Sequence, residues 1–265
     1  MCGVVGIIGK KNASSLVLEG LKKLEYRGYD SAGIASFYQK SIQVAKSEGK
    51  LVNLINKVND LAKDNLYYDT SIALGHTRWA THGNINIKNA HPLTSENRVA
   101  VVHNGIIENY ASIKKTLESE GYVFTSQTDT EVLPHLFTKY LKKGHDFLQA
   151  GRLVLKDIKG AFAFVAICLD FPDQLFVSRN SSPLAIGLGE GSNFVGSDAQ
   201  SINHLTNKII YLEDGDYALI QINNIEVFDK NSNKIDRKII NVQSELGLIT
   251  KGGYKHFMEK EIYEQ

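Results

Sequence analysis

Residues 161–240 alternate short apolar runs with turn residues and carry no helical repeat. Turns are marked at Gly160, Asp170-Phe171-Pro172-Asp173, Gly187, Gly191 and Asp214-Gly215. Strands joined this tightly pair with their neighbours antiparallel, because a parallel crossover needs about a dozen residues or more. The N-terminal half adds a buried strand over 2–8, a hairpin of 34–38 with 42–46, and strands at 72–76 and 99–102. Amphipathic helices are expected near 13–25, 51–62, 109–120 and 146–159. Another opens at Thr128-Asp129-Thr130-Glu131, where Thr128 as N-cap and Glu131 three residues later match a capping box. It runs to about 143, with Pro134 a source of local distortion. Alternating βαβ order is not sustained, so the expected class is α+β: antiparallel sheets face to face, helices outside. Gly187-Leu188-Gly189 is no dinucleotide fingerprint, lacking the third glycine and a following helix. Residues 84–98 have no period, and a loop that long inside a compact domain is usually functional or disordered.

Composition narrows the function. With 43% hydrophobic residues in 265 and no interior linker, the chain can bury a large core. Thirty Lys and Arg against 29 Asp and Glu leave net +1, without the basic excess of a nucleic-acid partner. Cys2 and Cys168 are the only cysteines, which rules out a disulfide framework or a Cys-based zinc site. Cys168 closes the apolar run 161–167 and reads as a small buried residue. The N-terminus has no signal-peptide pattern, and no run reaches the ~18 apolar residues of a membrane span. A cytoplasmic location is expected, where a reactive thiol stays reduced.

Met1-Cys2-Gly3 is the chemically suggestive stretch. Removal of Met1 would leave Cys2 with a free α-amine near pKa ~7.7–8.0 beside a thiol near ~8.5. Nucleophile and base would then share one residue, as in other N-terminal nucleophiles. Four further polar clusters are read at strand ends: Arg27-Gly28, Arg78-Trp79, Asn104-Gly105 and Thr128-Asp129. Asn104 offers a side-chain N–H and Gly105 a backbone N–H, which together suit an oxyanion hole. Arg78 suits a carboxylate and Asp129 an ammonium, the pair an α-amino acid requires. Taken singly, each has a plainer reading as a turn, first-turn acid, ion pair or loop residue. His76, His82, His91 and His103 have no helical ligand spacing, so they are read as satisfied or substrate-touching, with no metal.

Five motifs, in order along the whole chain, resemble the class II glutamine amidotransferases. They are Cys2-Gly3-Val4-Val5-Gly6, Tyr26-Arg27-Gly28-Tyr29-Asp30-Ser31-Ala32-Gly33, Gly75-His76-Thr77-Arg78-Trp79-Ala80-Thr81-His82-Gly83, His103-Asn104-Gly105-Ile106-Ile107-Glu108-Asn109 and Thr128-Asp129-Thr130-Glu131-Val132. The Tyr-Arg-Gly-Tyr and Arg-Trp-Ala-Thr-His forms most resemble the branch that aminates fructose 6-phosphate. The resemblance implies an N-terminal-nucleophile (Ntn) hydrolase fold, an αββα sandwich of two antiparallel sheets. It implies Cys2 as nucleophile, Asn104 and Gly105 as oxyanion hole, and Arg27 and Gly28 around the nucleophile. Arg78 and Asp129 would hold L-glutamine. Trp79, Thr81 and His82 would lie in a loop closing over it, with His91 nearby.

The implied reaction is glutamine hydrolysis through a Cys2 thioester, with no metal or cofactor. In the full-length enzyme the ammonia would convert fructose 6-phosphate to glucosamine 6-phosphate. The implied glutaminase domain covers 1–250, and 251–265 would begin a linker to a sugar isomerase region of the same, dimerising polypeptide. Gln127 departs from the family, where Glu is expected, and removes a charge beside the pocket. Two alternatives stay open. Another amidotransferase of the class is one, though the phosphoribosyl-amine and asparagine-forming types lack the Arg-Trp-Ala-Thr-His wording. A non-catalytic amino-acid sensor is the other; it would keep Arg78 and Asp129 but need neither a processed Cys2 nor Asn104.

Overall fold

The computed structural model describes residues 2–9, 12–63, 70–79 and 84–242. The expected domain boundary near 250 and the linker beyond it lie outside those residues.

The N-terminal strand β1 (Gly3–Gly9) is buried at every position. Val4 and Ile8 enter the core between two sheets, while Val5 and Ile7 enter the core under the first helices. That two-sided burial explains a strand apolar throughout rather than alternating. Helix α1 (Ala13–Leu24) follows, with Val17 and Leu21 directed at the strand. Strands β2 (Ser31–Tyr38) and β3 (Ser41–Glu48) form the expected hairpin. Gln39 and Lys40 both take positive φ at its two-residue turn, the sense that matches strand twist. Helix α2 (Leu51–Lys63) and strand β4 (Ile72–Arg78) come next.

Strands β5 (Leu93–Ser95) and β6 (Val99–Ile107) belong to the second sheet. Helices α3 (Tyr110–Ser119), α4 (Val132–Lys142) and α5 (Phe147–Asp157) cover its outer face. The remaining strands are β7 (Gly160–Cys168), β8 (Phe171–Asn180), β9 (Ala185–Gly189), β10 (Ser192–Gly196), β11 (Lys208–Tyr211), β12 (Tyr217–Ile220), β13 (Ile225–Phe228), β14 (Lys234–Ile235) and β15 (Ile239–Asn241). One sheet runs β15-β11-β9-β10-β1-β4-β2-β3, the other β14-β13-β12-β8-β7-β6-β5. All neighbours within them are antiparallel. Two helices cover one outer face and three the other, with Val4, Leu74, Val102, Val165 and Val177 sealing the middle layer. This is the expected α+β, αββα sandwich.

Several local expectations are corrected. The strand at 99–102 continues through Ile107, so Asn104 and Gly105 are not a turn at a strand end; they pair with Ala163 and Phe162 of β7. Gly187 lies within β9 rather than in a turn. Arg27-Gly28 and Thr128-Asp129 sit at short 3-10 turns, not at strand ends.

The capping box does not form. Thr128 N–H donates to Ser126 Oγ, and Glu131 turns back to accept from Thr125 N (2.8 Å), Thr125 Oγ1 (2.8 Å) and Ser126 N (2.7 Å). The 3-10 turn Asp129–Glu131 delays α4 to Val132. Pro134 consequently falls in the helix's first turn, where its missing N–H leaves no intrahelical bond unmade.

Candidate active site

The termini of β1 and β4 and the middle of β6 converge at one end of the sandwich. The register Gly3↔Thr77 sets Cys2 beside the end of β4. Its thiol accepts the Trp79 backbone N–H at 3.2 Å and lies 3.5 Å from the Trp79 carbonyl oxygen, to which it can donate. Burial pushes the Cys2 thiol up from its ordinary value, while the Trp79 N–H and the Arg78 charge pull it back. The site therefore holds a thiol, which becomes a strong nucleophile once a nearby base takes its proton.

Gly28 makes that arrangement possible. A Cβ there would sit 2.7 Å from the Arg78 carbonyl carbon and 2.8 Å from Trp79 N. Only a bare backbone lets this loop lie against the end of β4. Arg27, 7% exposed, is anchored through Nη2 to Asp198 at 2.7 Å. The Trp79 ring is exposed and stands edge-on to Tyr29.

From the other sheet, Asn104 Nδ2 donates to the Cys2 carbonyl oxygen at 2.9 Å. Gly105 adopts φ +117, and a Cβ there would lie 2.0 Å from Ala161 O, so the position is closed to side chains. Arg78 is 4% exposed and reaches Asn84 O at 3.4 Å. Burial lowers its pKa, against the opposing pull of Cys2, Asp30 and Asp129. Asp129 accepts the Ile107 N–H at 2.7 Å, which ties the acid to the end of β6.

Cys2, Arg27, Arg78, Trp79, His91, Asn104, Gly105 and Asp129 line one cavity of about 270 Å³. That is near the lower end of small-molecule sites, roughly 300 Å³ and upward. Gly28 is not in that lining but lies against the backbone of Arg78 and Trp79, which are. Thr81 and His82 lie outside the described residues. The same wall includes His103 and Thr128, which the sequence reading singled out without a site role, and Ile106, Thr130, Ser182 and Pro183, to which it gave none. Thr128 and Thr130 flank Asp129, so adjacency was an available signal. Ser182 and Pro183 follow β8 and arrive only through tertiary packing. Among the described residues no group of three or more His, Cys, Asp or Glu is placed to hold a metal.

Gln127 has a specific task. Its Oε1 accepts from Asn84 N (3.3 Å) and Asn89 Nδ2 (3.1 Å), and its N–H donates to Asn89 Oδ1 at 2.8 Å. Asn89 Nδ2 also donates to Asn84 O at 2.9 Å. The stretch after residue 83 is thus clasped to the segment carrying Asp129. Of the Gln127 side chain only the acceptor oxygen is used, and a carboxylate offers the same acceptor. Gln127→Glu is expected to keep wild-type thermal stability. Gln127→Leu is expected to lose about 1–2 kcal/mol in urea unfolding, the usual penalty for stranding donors. Equal stability of the two variants would show that the clasp holds nothing.

A glutamine amidotransferase domain family matches residues 76–204. A glutamine–fructose-6-phosphate aminotransferase (isomerizing) of Fusobacterium nucleatum subsp. nucleatum is 49% identical over all of this chain and 43% of its own length. The protein of that name from Acinetobacter baylyi is 47% identical over all of this chain and 42% of its own. The chain belongs to the class II glutamine amidotransferases. A solved glutamine phosphoribosylpyrophosphate amidotransferase from B. subtilis overlays this amidotransferase domain with TM-score 0.73 at 26% identity, over 88% of this chain and 50% of that one. The chain spans less than half the length of the curated relatives it matches. No helix among the described residues is long and apolar enough to cross a membrane.

Proposed function

We propose that this domain hydrolyses L-glutamine to glutamate and ammonia, with Cys2 as nucleophile. The observation that carries the reading is one cavity presenting the Cys2 thiol, the Asn104 amide, Arg78 and Asp129 together. Removal of Met1 frees the Cys2 amine to take the thiol proton. The sulfur attacks the side-chain amide carbon, and the carbonyl oxygen gains charge against Asn104 Nδ2 and Gly105 N–H. Collapse breaks the C–N bond, the amine returns its proton to the leaving nitrogen, and ammonia departs. Water then attacks the thioester, releasing glutamate and restoring the thiol. Arg27 and Gly28 keep the nucleophile's surroundings in shape, and Trp79, with Thr81 and His82, covers the substrate beside His91.

In the longer protein this ammonia converts fructose 6-phosphate to glucosamine 6-phosphate, in a dimer located in the cytoplasm. The names of the relatives and the breadth of the match support that assignment. The 265-residue chain alone is expected to release glutamate without forming glucosamine 6-phosphate.

The direct test is glutamate release from glutamine. Active protein is expected to weigh one methionine less than the translated chain, and Cys2→Ala to be inactive. Full activity with Met1 retained removes the amine-as-base step. Saturable glutamine binding without turnover in processed protein marks an amino-acid sensor instead.

Arg78 and Asp129 are separable by ligand. Arg78→Lys keeps the charge but loses the two-pronged contact, so KM for glutamine is expected to rise. Asp129→Asn is expected to weaken glutamine binding but leave an analogue without the α-amine unaffected. Equal losses for both ligands take Asp129 out of the amine site.

A further inference from the structure

His76 has no part in the reaction above, yet it touches its machinery. It sits on β4 with no solvent exposure, and its ring crosses to the second sheet. Nε2 lies 3.0 Å from His103 O, 3.0 Å from Asn104 Oδ1 and 3.2 Å from His91 Nδ1. A backbone carbonyl can only accept, so Nε2 must carry the hydrogen. Asn104 Nδ2 is fixed independently, because it donates to the Cys2 carbonyl. Its Oδ1 therefore faces His76, and the two assignments agree. Burial lowers the His76 pKa to about 3, so the ring stays neutral at physiological pH. His91 must then present Nδ1 as an acceptor, which leaves its own hydrogen on Nε2.

We propose that His76 is a positioning residue for Asn104: its Nε2–H holds the carboxamide with Nδ2 turned toward Cys2 and the reacting carbonyl. A flipped amide would set Nδ2 against the His76 N–H and Oδ1 against both the Cys2 carbonyl and the forming oxyanion. Both contacts pair like with like. Without His76, one of the two contacts that orient the amide is gone, the flipped form is opposed only by the Cys2 carbonyl, and a larger part of the population presents oxygen where a donor is needed. The proposal rests on Asn104 acting as an oxyanion donor.

A double-mutant cycle in the processed chain tests it, with glutamine kcat and KM measured for His76→Leu, Asn104→Ala and the pair. His76→Leu is expected to lower kcat about 10–100-fold, less than loss of the donor itself. KM should move by less than about threefold, because the donor acts in the transition state. In the Asn104→Ala background, His76→Leu is expected to add less than about a threefold further loss, since its target is gone. His76→Gln, which restores a side-chain N–H, is expected to recover most of kcat. An undiminished His76→Leu effect in the Asn104→Ala background overturns the proposal, as does wild-type kcat in His76→Leu. An Asn104→Ala single variant with normal kcat instead removes the oxyanion reading. Should His76→Leu fail to fold, 15N-histidine NMR of the unmutated chain decides the point. A hydrogen on Nε2 between pH 6 and 8 supports the arrangement, and a hydrogen on Nδ1 overturns it.

Discussion

Asn104→Ala is expected to cut kcat for glutamine hydrolysis by about 10²–10³ while changing KM far less. The asymmetry follows from timing. The Asn104 N–H meets little charge on a bound amide carbonyl and nearly a full charge on the tetrahedral oxyanion, so its loss falls on the chemical step. The Gly105 backbone N–H remains, and it accounts for residual turnover. Asn104 has a second role, since its Nδ2 also bonds the Cys2 carbonyl at 2.9 Å. Truncation could therefore act by loosening the nucleophile. Alkylation of Cys2 by a small haloacetamide separates the two effects, because that reaction forms no oxyanion at this site. Normal alkylation with reduced kcat assigns the loss to the oxyanion. A KM effect with unchanged kcat moves Asn104 from catalysis to binding.

What the sequence made legible was local. The hairpin of β2 and β3 and the chain of short strands after Gly160 announce antiparallel pairing, because turn chemistry and side-chain alternation act over a few residues. Sheet order could not be read this way. β1 is flanked by β4 and β10, and β10 lies nearly 190 residues away in register. β9 bonds β11 on one side and β10 on the other. Such pairings are fixed by burial of both faces rather than by any turn.

The candidate site divides along the same line. Cys2, Asn104 and Asp129 were legible as chemical types, and the family motifs supplied their grouping. The contacts that tune them were not. Glu131 reads as a capping acid but is drawn to the N–H groups of Thr125 and Ser126, a closer and richer donor set. Gln127 reads as a lost charge, although of its side chain the fold uses only the acceptor oxygen. His76 gave no spacing signal because its three acceptors come from β6 and from residue 91, elements separated from it in sequence and joined only by sheet stacking.

Buried neutral histidines give the fold a second large expected effect: marked loss of stability in mild acid. His76, His91 and His103 are each 6% exposed or less. Burial lowers His76 to about 3, His103 to about 4, and His91 well below its ordinary value. His135 moves the same way, again mainly through burial. In the unfolded chain all of them titrate near ~6.5. The folded values are depressed, so below that point the unfolded state binds more protons. The stability these groups allow is complete above about pH 6.5 and is lost as pH falls toward the folded values. Each histidine contributes up to about 1.4 kcal/mol per pH unit in that window, so the three at the site together approach about 4 kcal/mol per unit. Urea unfolding at pH 7.5, 6, 5 and 4.5 is expected to show a midpoint that falls steeply below pH 6. Because the groups are buried, the fall should persist in high salt, whereas repulsion between surface charges would be screened. A flat midpoint from pH 7.5 to 5 would mean that these rings find protons or water in the folded state. His76 Nε2 would keep its hydrogen even so, because an imidazolium donates from both nitrogens, and the orientation of Asn104 would rest on the contacts with His103 O and Asn104 Oδ1 alone.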